Sequence, residues 1–309
     1  MLDPTTLFTY ERDVDSRNVS ASTLLVTLDA FADSGNVQKH LNAHLSAMGT
    51  SRLVGSFDAD QLIDYTGVRP EVTLDADHFV GYQKPSLDLY EVTTPGGGRF
   101  LVLMGPEPNF QWERAASAVR IIVEQLGVTR TIMASSFPTA TPHTRPVPIT
   151  RYAGDPKDLV ISSPMPGSME LRSTFTTVLT LRLAEAGHSV VGLGAHVPSY
   201  AHDMDYFPAV PALLTAIETA GGPLIPSTEE LETHVLETRA MLDTAAADNE
   251  QLQQLVTGFE ENYTRMDGII NKVSTTDGAP IPGAEQLSDE VEEFLRDLGE
   301  TDEHDGHAL

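Results

Sequence analysis

The sequence predicts an α/β fold in which a mostly parallel sheet is flanked by helices, with an added helical region at the C-terminal side. Short runs that are apolar on both faces recur along residues 23–220, which is typical of strands in a parallel sheet covered on both sides. Segments with apolar residues at helical spacing alternate with these runs, and such alternation indicates a layered α/β domain. From Ser227 onward the apolar residues recur at helical spacing alone.

The first predicted strand covers residues 23–28, a short apolar and partly β-branched run. A helix over 37–48 follows, and Ser34 or Asn36 is expected to cap its first turn. The run at 53–57 predicts the next strand.

The middle of the chain contains a predicted β-hairpin. Runs at 89–93 and 99–104 are separated by the turn Pro-Gly-Gly-Gly at 95–98, which indicates two antiparallel strands. The preceding stretch, 65–85, shows no regular pattern, and a helix is predicted over 109–126.

The rest of the α/β part follows the same alternation. We expect, in order, a strand at 129–134, irregular chain to 167, a helix at 168–186, a strand at 189–193 and a helix at 209–220.

The C-terminal third changes in character, so we divide the chain into an α/β core domain (1–226), a helical region (227–298) and an acidic, disordered tail (299–309). The helical region is predicted to be a hairpin of two helices that break near 246–249, followed by a short helix at 291–298. Because two helices bury little apolar surface by themselves, we expect the hairpin to pack on the α/β domain or on a second subunit.

Charge and composition exclude several classes of function. The chain has 45 acidic and 19 basic residues, a formal charge of −26, which argues against nucleic acid and anionic membranes as partners. The absence of cysteine excludes disulfides and thiolate chemistry. Neither a signal-peptide pattern nor an apolar run long enough to span a membrane occurs. We therefore expect a cytoplasmic protein. No cofactor-binding motif is complete, so we expect no cofactor.

Distinctive polar residues follow two of the predicted strands. Glu107 and Asn109 come after the second strand of the hairpin, and His143 and Arg145 come after the next strand. Ligands of open α/β sheets bind at the carboxyl ends of the strands, and the arginine fork suits a carboxylate or a phosphate. These four residues are our candidate ligand site. The alternative is structural, with Asn109 as a helix cap and Arg145 paired internally.

A second cluster contains residue types that bind metal ions, namely His196, His202, Asp203 and Asp205. Imidazole and carboxylate groups are ligands of divalent metals. Their spacing matches no established metal motif, and such residues also form turns, so we assign no metal to the chain.

Three short motifs stand next to predicted elements: Gly105–Pro108 after one strand, Pro142–Pro146 after the next, and Val197–Tyr200 before a helix. Together they resemble the proteasome assembly chaperone 2 family, and in particular its actinobacterial branch. The resemblance covers about residues 20–225. It implies an α/β fold similar to purine nucleoside phosphorylases and peptidyl hydrolases, and a chaperone role in proteasome assembly.

Two hypotheses from different classes follow. The first is a non-enzymatic, chaperone-like factor that binds a protein partner related to the proteasome and that self-associates. The second is a small-molecule enzyme or sensor, of the nucleoside or peptide hydrolase or phosphorylase type, with an anion pocket at the sheet edge. No P-loop, Gly-x-Ser-x-Gly or His-Glu-x-x-His motif occurs, and we therefore favour the first.

Overall fold

The computed structural model describes residues 2–14, 18–19, 21–29, 33–161 and 170–274, the last nine of them by their backbone only. The chain divides into two compact units. The first comprises residues 1–162 and 173–260, and the second comprises 163–172 and 261–309. The strands, the site and all helices but the last belong to the first unit, and the last helix begins in the first unit and continues past residue 260.

Ten strands are described, and eight of them form one sheet. In chain order the strands are β1 (Phe8–Tyr10), β2 (Thr23–Asp29), β3 (Thr50–Phe57), β4 (Thr73–Asp75), β5 (His78–Val80), β6 (Asp88–Thr93), β7 (Arg99–Pro106), β8 (Arg130–Thr139), β9 (Ile149–Ala153) and β10 (Ser189–Pro198). The order in the large sheet is β1-β3-β6-β7-β2-β8-β10-β9. Its four central strands, β7, β2, β8 and β10, run parallel, and both margins pair antiparallel.

The helices cover both faces of this sheet. They are α1 (Val37–Ala47), α2 (Ala59–Leu62), α3 (Tyr65–Val68), α4 (Trp112–Leu126), α5 (Phe175–Glu185), α6 (Ala209–Thr219), α7 (Glu229–Asp248) and α8 (Glu250–Ser274). One buried cluster joins α4 and α5 to alternate residues of β2 such as Leu24 and Val26. The other joins α1, α6 and α7 to the opposite face of β2 at Leu25. The predicted α/β class, with helices on both faces and further helices toward the C-terminus, is confirmed.

Several local expectations were wrong. Residues 149–153 form the edge strand β9 rather than irregular chain, and residues 65–85 contain α3 and the small sheet of β4 and β5. Neither Ser34 nor Asn36 caps α1 with its side chain. The carboxylate of Asp33 instead accepts hydrogen bonds from the backbone nitrogens of residues 38 and 39.

The C-terminal helices break at Asn249, within the predicted interval. Leu231 and Leu242 of α7 are buried in the core cluster that contains α1 and α6, so α7 packs on the α/β part as expected. The boundary proposed at residue 226 stays a prediction. The predicted short helix at 291–298 and the acidic tail lie outside the described residues. No helix in the described ranges is long and apolar enough to cross a membrane.

Candidate functional site

The carboxyl ends of the four parallel strands bring the polar loops of the sequence to one edge of the sheet. Glu107 follows β7, Asp33 follows β2, His143 follows β8 and Tyr200 follows β10. The strand order β7-β2-β8-β10 makes these loops neighbours. This is the edge at which the sequence predicts a site.

His143 is buried, with 1% of its surface exposed, and it is hydrogen-bonded on both sides of its ring. Its Nδ1 lies 2.6 Å from the Tyr200 hydroxyl, and its Nε2 lies 3.2 Å from a carboxylate oxygen of Asp243 on α7. The His143 backbone N–H also donates to the Tyr200 hydroxyl at 2.9 Å. All three contacts are satisfied when Tyr200 donates to Nδ1 and Nε2–H donates to Asp243.

The Tyr200 ring links this loop to α8. It stacks on Phe259 with ring centroids 5.9 Å apart and meets the His143 ring edge to face. Burial, the main cause, raises the pKa of Tyr200 to about 12, so its hydroxyl stays protonated as a donor at neutral pH. Thr144 donates a 2.5 Å hydrogen bond to Glu260 of α8. Two motifs of the sequence are therefore bonded to each other and to the C-terminal helices.

Glu107 and Asn109 hold loops in place. Glu107 accepts a hydrogen bond from the backbone nitrogen of Phe175, the first residue of α5, where a carboxylate complements the helix dipole. The Asn109 side chain accepts from the backbone nitrogen of Asp64 at 2.7 Å, just before α3. These contacts agree with the structural alternative for Asn109, except that it braces a loop and does not cap α4, whose N-cap is Gln111.

Arg145 is exposed, and among the described residues it has no hydrogen-bond or ion-pair partner. It shares the loop after β8 with His143, whereas the hydrogen bonds of Glu107 and Asn109 named above run to other segments. That these four side chains bind one ligand stays a prediction.

His196 lies on β10 in an apolar setting. Its Nε2 is 2.7 Å from the Thr150 hydroxyl, and its ring lies 4.7 Å from that of Phe137. Burial lowers its pKa to about 4, so the imidazole is neutral at physiological pH.

The other three candidate metal ligands, His202, Asp203 and Asp205, contact different partners. His202 and Asp203 form an exposed pair, 3.1 Å apart. Asp205 lies 2.8 Å from Nε2 of His40 and accepts from the Asn36 amide at 2.7 Å. In the part of the chain that the structure describes, no group of three or more histidine, aspartate or glutamate side chains is placed to hold a metal ion.

Two acidic residues, Asp29 and Asp33, lie at the end of β2 and just after it. Asp33 accepts from the Ser136 hydroxyl at 3.2 Å as well as from the start of α1. Burial, helped by the neighbouring charge of Asp33, raises the pKa of Asp29 to about 6. Sequence reasoning missed Asp243 as the partner of His143. The two residues are 100 positions apart, and no local spacing signals such a contact.

These features define a class, namely layered α/β proteins in which a buried histidine is bonded to a half-buried tyrosine at the carboxyl edge of the sheet and two C-terminal helices contact this edge. The family model described as the PAC2 family matches residues 27–246. The chain therefore belongs to the PAC2 family, as its three motifs suggested.

Several solved structures share this fold. A Mycobacterium tuberculosis protein of unknown function, Rv2714, is 32% identical with a TM-score of 0.79, over 87% of this chain and 92% of that one. A Corynebacterium glutamicum protein of unknown function is 28% identical with a TM-score of 0.76, over 84% of this chain and 97% of that one. The Mycobacterium tuberculosis proteasome-assembly chaperone homologue Rv2125 shares the fold, at 21% identity and a TM-score of 0.68 over 76% and 99%. The comparison with curated proteins gave no match.

Proposed function

We propose that this protein is a non-enzymatic, chaperone-like factor of the cytoplasm that binds a protein partner related to the proteasome. One observation carries the proposal. The His143 ring is buried and bonded at both nitrogens to Tyr200 and Asp243. A general acid or base must reach a substrate proton through one of its ring nitrogens. Here both nitrogens contact protein groups, and the burial of the residue leaves no path by which a substrate could approach either of them.

Family membership supports a role in protein binding. Among chains with this fold are a proteasome-assembly chaperone homologue and, at 12% identity and a TM-score of 0.56, the Pyrococcus furiosus protein PbaB, described as an archaeal proteasome activator. We propose that the present chain likewise binds a proteasome-related protein.

The C-terminal helices offer a surface for such a partner. Leu236 on α7 is 68% exposed and Leu255 on α8 is 41% exposed, while Glu229, Glu230 and Glu232 lie in the first turn of α7. Residues 227–260, which include all of α7 and the first part of α8, contain 8 acidic residues and 1 basic residue. A partner with apolar side chains inside a basic rim is complementary to this surface.

The test measures binding to purified proteasome core particles from the same organism by surface plasmon resonance. We expect saturable binding of the wild-type protein, and at least about tenfold weaker binding after Leu236→Ser with Leu255→Ser, since apolar anchors at the centre of an interface dominate affinity. Leu181→Ser on α5, where the leucine is 50% exposed, is the matched control and should bind as the wild type does. Absence of wild-type binding would refute the proteasome-related partner.

A second candidate, a small-molecule enzyme or sensor, is favoured by one observation, the exposed Arg145 guanidinium that has no described partner at the sheet edge. Its test titrates inorganic phosphate and acetate into the protein while the arginine side-chain NMR signals are followed. Saturable shifts that vanish in Arg145→Ala would favour this second function. Their absence in the wild-type protein would remove it.

A further inference from the structure

A cleft of about 500 Å³ lies at the amino edge of the large sheet, away from the candidate site at the carboxyl edge. It is lined by the first residue of β2, the turn between β6 and β7, the first residue of β7 and the connection that follows α6. Because β2 is seven residues long, the two edges are about 20 Å apart. The volume of the cleft falls within the range of about 300–1,000 Å³ that is typical of small-molecule sites.

Two buried threonines line this cleft with hydroxyl groups that are free to donate. Thr23 is 7% exposed and Thr94 is 8% exposed. Among the residues that the structure describes, the Thr23 hydroxyl has no hydrogen-bond partner. The Thr94 hydroxyl accepts from the backbone nitrogen of Gly98 at 3.1 Å, but its own hydrogen meets no described acceptor. A buried donor without an acceptor is unfavourable, so the cleft favours a ligand that accepts hydrogen bonds.

The cleft is also a positive region in an acidic protein. Arg99 lines it, is exposed, and has no hydrogen-bond or ion-pair partner within the described ranges. Arg130 lies beside it, since a Cβ on the lining residue Gly221 would be 3.7 Å from the Arg130 Nε. The Arg130 guanidinium donates to the Ser189 hydroxyl and to the backbone carbonyl of Asp158, and neither acceptor is charged.

Carboxylates are missing from the lining. No acidic side chain of the described chain lines the cleft, although acidic residues outnumber basic ones by 45 to 19 in the sequence. Two arginines without a carboxylate beside them create a local positive potential, which attracts an anion.

One wall of the cleft is apolar. It is formed by Pro223, Leu224 and Pro226, which follow α6. Leu224 is 65% exposed, so its side chain is available to pack against a ligand. Small-molecule sites commonly combine such an apolar wall with a few polar groups that fix the orientation of the ligand.

We propose that this cleft binds a phosphate monoester that carries a small apolar or aromatic group. The phosphate accepts hydrogen bonds from Arg99 and from the hydroxyls of Thr23 and Thr94, and the apolar group packs on Pro223 and Leu224. These donors come from three separate segments around one volume. A phosphate group presents three acceptor oxygens in different directions, whereas a carboxylate presents two in one plane, and phosphate is therefore the better match.

The first test titrates phenyl phosphate into the purified full-length protein by isothermal calorimetry at pH 7. We expect saturable binding with a dissociation constant of about 1 mM or tighter, as for other ligands of this size. Arg99→Gln should weaken it at least about tenfold, because charge-assisted hydrogen bonds are lost. Arg120→Gln on α4, where the arginine pairs with Glu124, changes the net charge equally and should keep the wild-type affinity. Absence of saturable binding by the wild type, or equal losses in both variants, overturns the proposal.

A second variant separates binding from folding. Thr23→Val replaces the hydroxyl by a methyl group of similar shape, and we expect phenyl phosphate to bind about threefold to tenfold more weakly. The melting temperature should be no lower than that of the wild type, because the hydroxyl has no described partner in the free protein. A lower melting temperature with unchanged affinity would show that Thr23 is structural and would contradict the proposal.

Two further ligands test the chemical class. Benzoate has the ring without the phosphate, and inorganic phosphate has the charge without the ring. Each should bind at least about tenfold more weakly than phenyl phosphate, since each lacks one of the two sets of contacts. Benzoate of equal affinity would contradict the preference for phosphate, and inorganic phosphate of equal affinity would contradict the role of the apolar wall. Binding of phenyl phosphate that is lost in Arg145→Ala and kept in Arg99→Gln would place the anion at the carboxyl edge and overturn the proposal.

This inference is independent of the proposed protein partner, because the cleft lies at the other edge of the sheet and its readout is the binding of a small molecule. Failure of proteasome binding leaves the cleft proposal standing, and absence of phenyl phosphate binding leaves the proposed function standing.

Discussion

At the scale of single residues, the contact between Tyr200 and His143 is the point on which the interpretation of the sheet edge depends. The Tyr200 hydroxyl accepts from the His143 backbone nitrogen and contacts its Nδ1. If the contact between Tyr200 and His143 is structural, its loss lowers the stability of the protein. If His143 instead acts on a substrate, loss of the same contact leaves stability largely unchanged.

We therefore predict that Tyr200→Phe lowers the free energy of unfolding by about 1–3 kcal/mol, because it leaves buried polar groups of His143 without a partner. The measurement is urea unfolding at pH 7. Tyr82→Phe removes a hydroxyl from a tyrosine that is 55% exposed and should have almost no effect. Equal stability of the two variants would argue against the structural role.

His196 gives the protein a specific sensitivity to acid. Its pKa is about 4 in the folded state and near 6.5 in an unfolded chain, so the unfolded state binds a proton more readily between these values. The stability that this group supplies is complete above pH 6.5 and is lost as pH falls toward 4. The pKa difference corresponds to about 3 kcal/mol.

Urea unfolding between pH 7 and pH 4.5 checks this prediction. His196→Gln removes the titrating group, so its stability should fall less over this interval than that of the wild type. Leu181→Ser, at an exposed residue that carries no titratable group, should follow the wild-type pH dependence. Parallel curves for His196→Gln and the wild type would contradict the assignment to His196.

The residue types of the edge were predictable from the sequence, but their partners were not. Glu107 and His143 were recognised because polar residues follow apolar strands. The Phe175 nitrogen that binds Glu107 is 68 positions away, and Asp243 is 100 positions from His143. Such contacts depend on tertiary packing, which no local spacing encodes.

At the scale of elements, the C-terminal helix α7 is held by one apolar stripe. Leu231, Val235 and Leu242 are buried, whereas Leu236 on the same helix is 68% exposed. This contrast offers two leucines with the same chemistry and opposite environments.

Leu242→Ala is predicted to reduce the free energy of unfolding by about 2–4 kcal/mol, since it removes buried methyl groups and leaves a cavity. Leu236→Ala should change it by less than about 0.5 kcal/mol. Guanidinium unfolding of both variants is the measurement. Similar small effects would mean that α7 does not pack on the α/β part as the structure shows.

Strands that have a clear apolar pattern in the sequence were predicted. A strand that is stabilised mainly by pairing with an adjacent strand was not. β2, β6 and β7 are apolar runs between clear turns, and their strands agree with the prediction to within two residues. The edge strand β9 follows a proline-rich segment and is half-buried throughout, so it lacks both alternation and a continuous apolar run. Its pairing with β10 provides the order that its own sequence does not specify.

At the scale of the whole molecule, net charge opposes the folded state. The formal charge of −26 brings many like charges together on folding, and this self-repulsion destabilises the compact form. Ion pairs such as Arg182 with Glu113, 2.8 Å apart, act in the opposite sense, but they are exposed and each contributes little.

Salt should therefore stabilise this protein. Raising sodium chloride from low concentration to about 0.5 M shortens the Debye length to a few ångströms, which screens the repulsion more than it weakens the few ion pairs. We expect the melting temperature to rise by several degrees in calorimetry at pH 7. At pH 4.5, where many carboxylates are protonated, the same salt step should raise it less. A melting temperature that falls with salt at pH 7 would show that the ion pairs outweigh the repulsion, because screening then removes more attraction than repulsion.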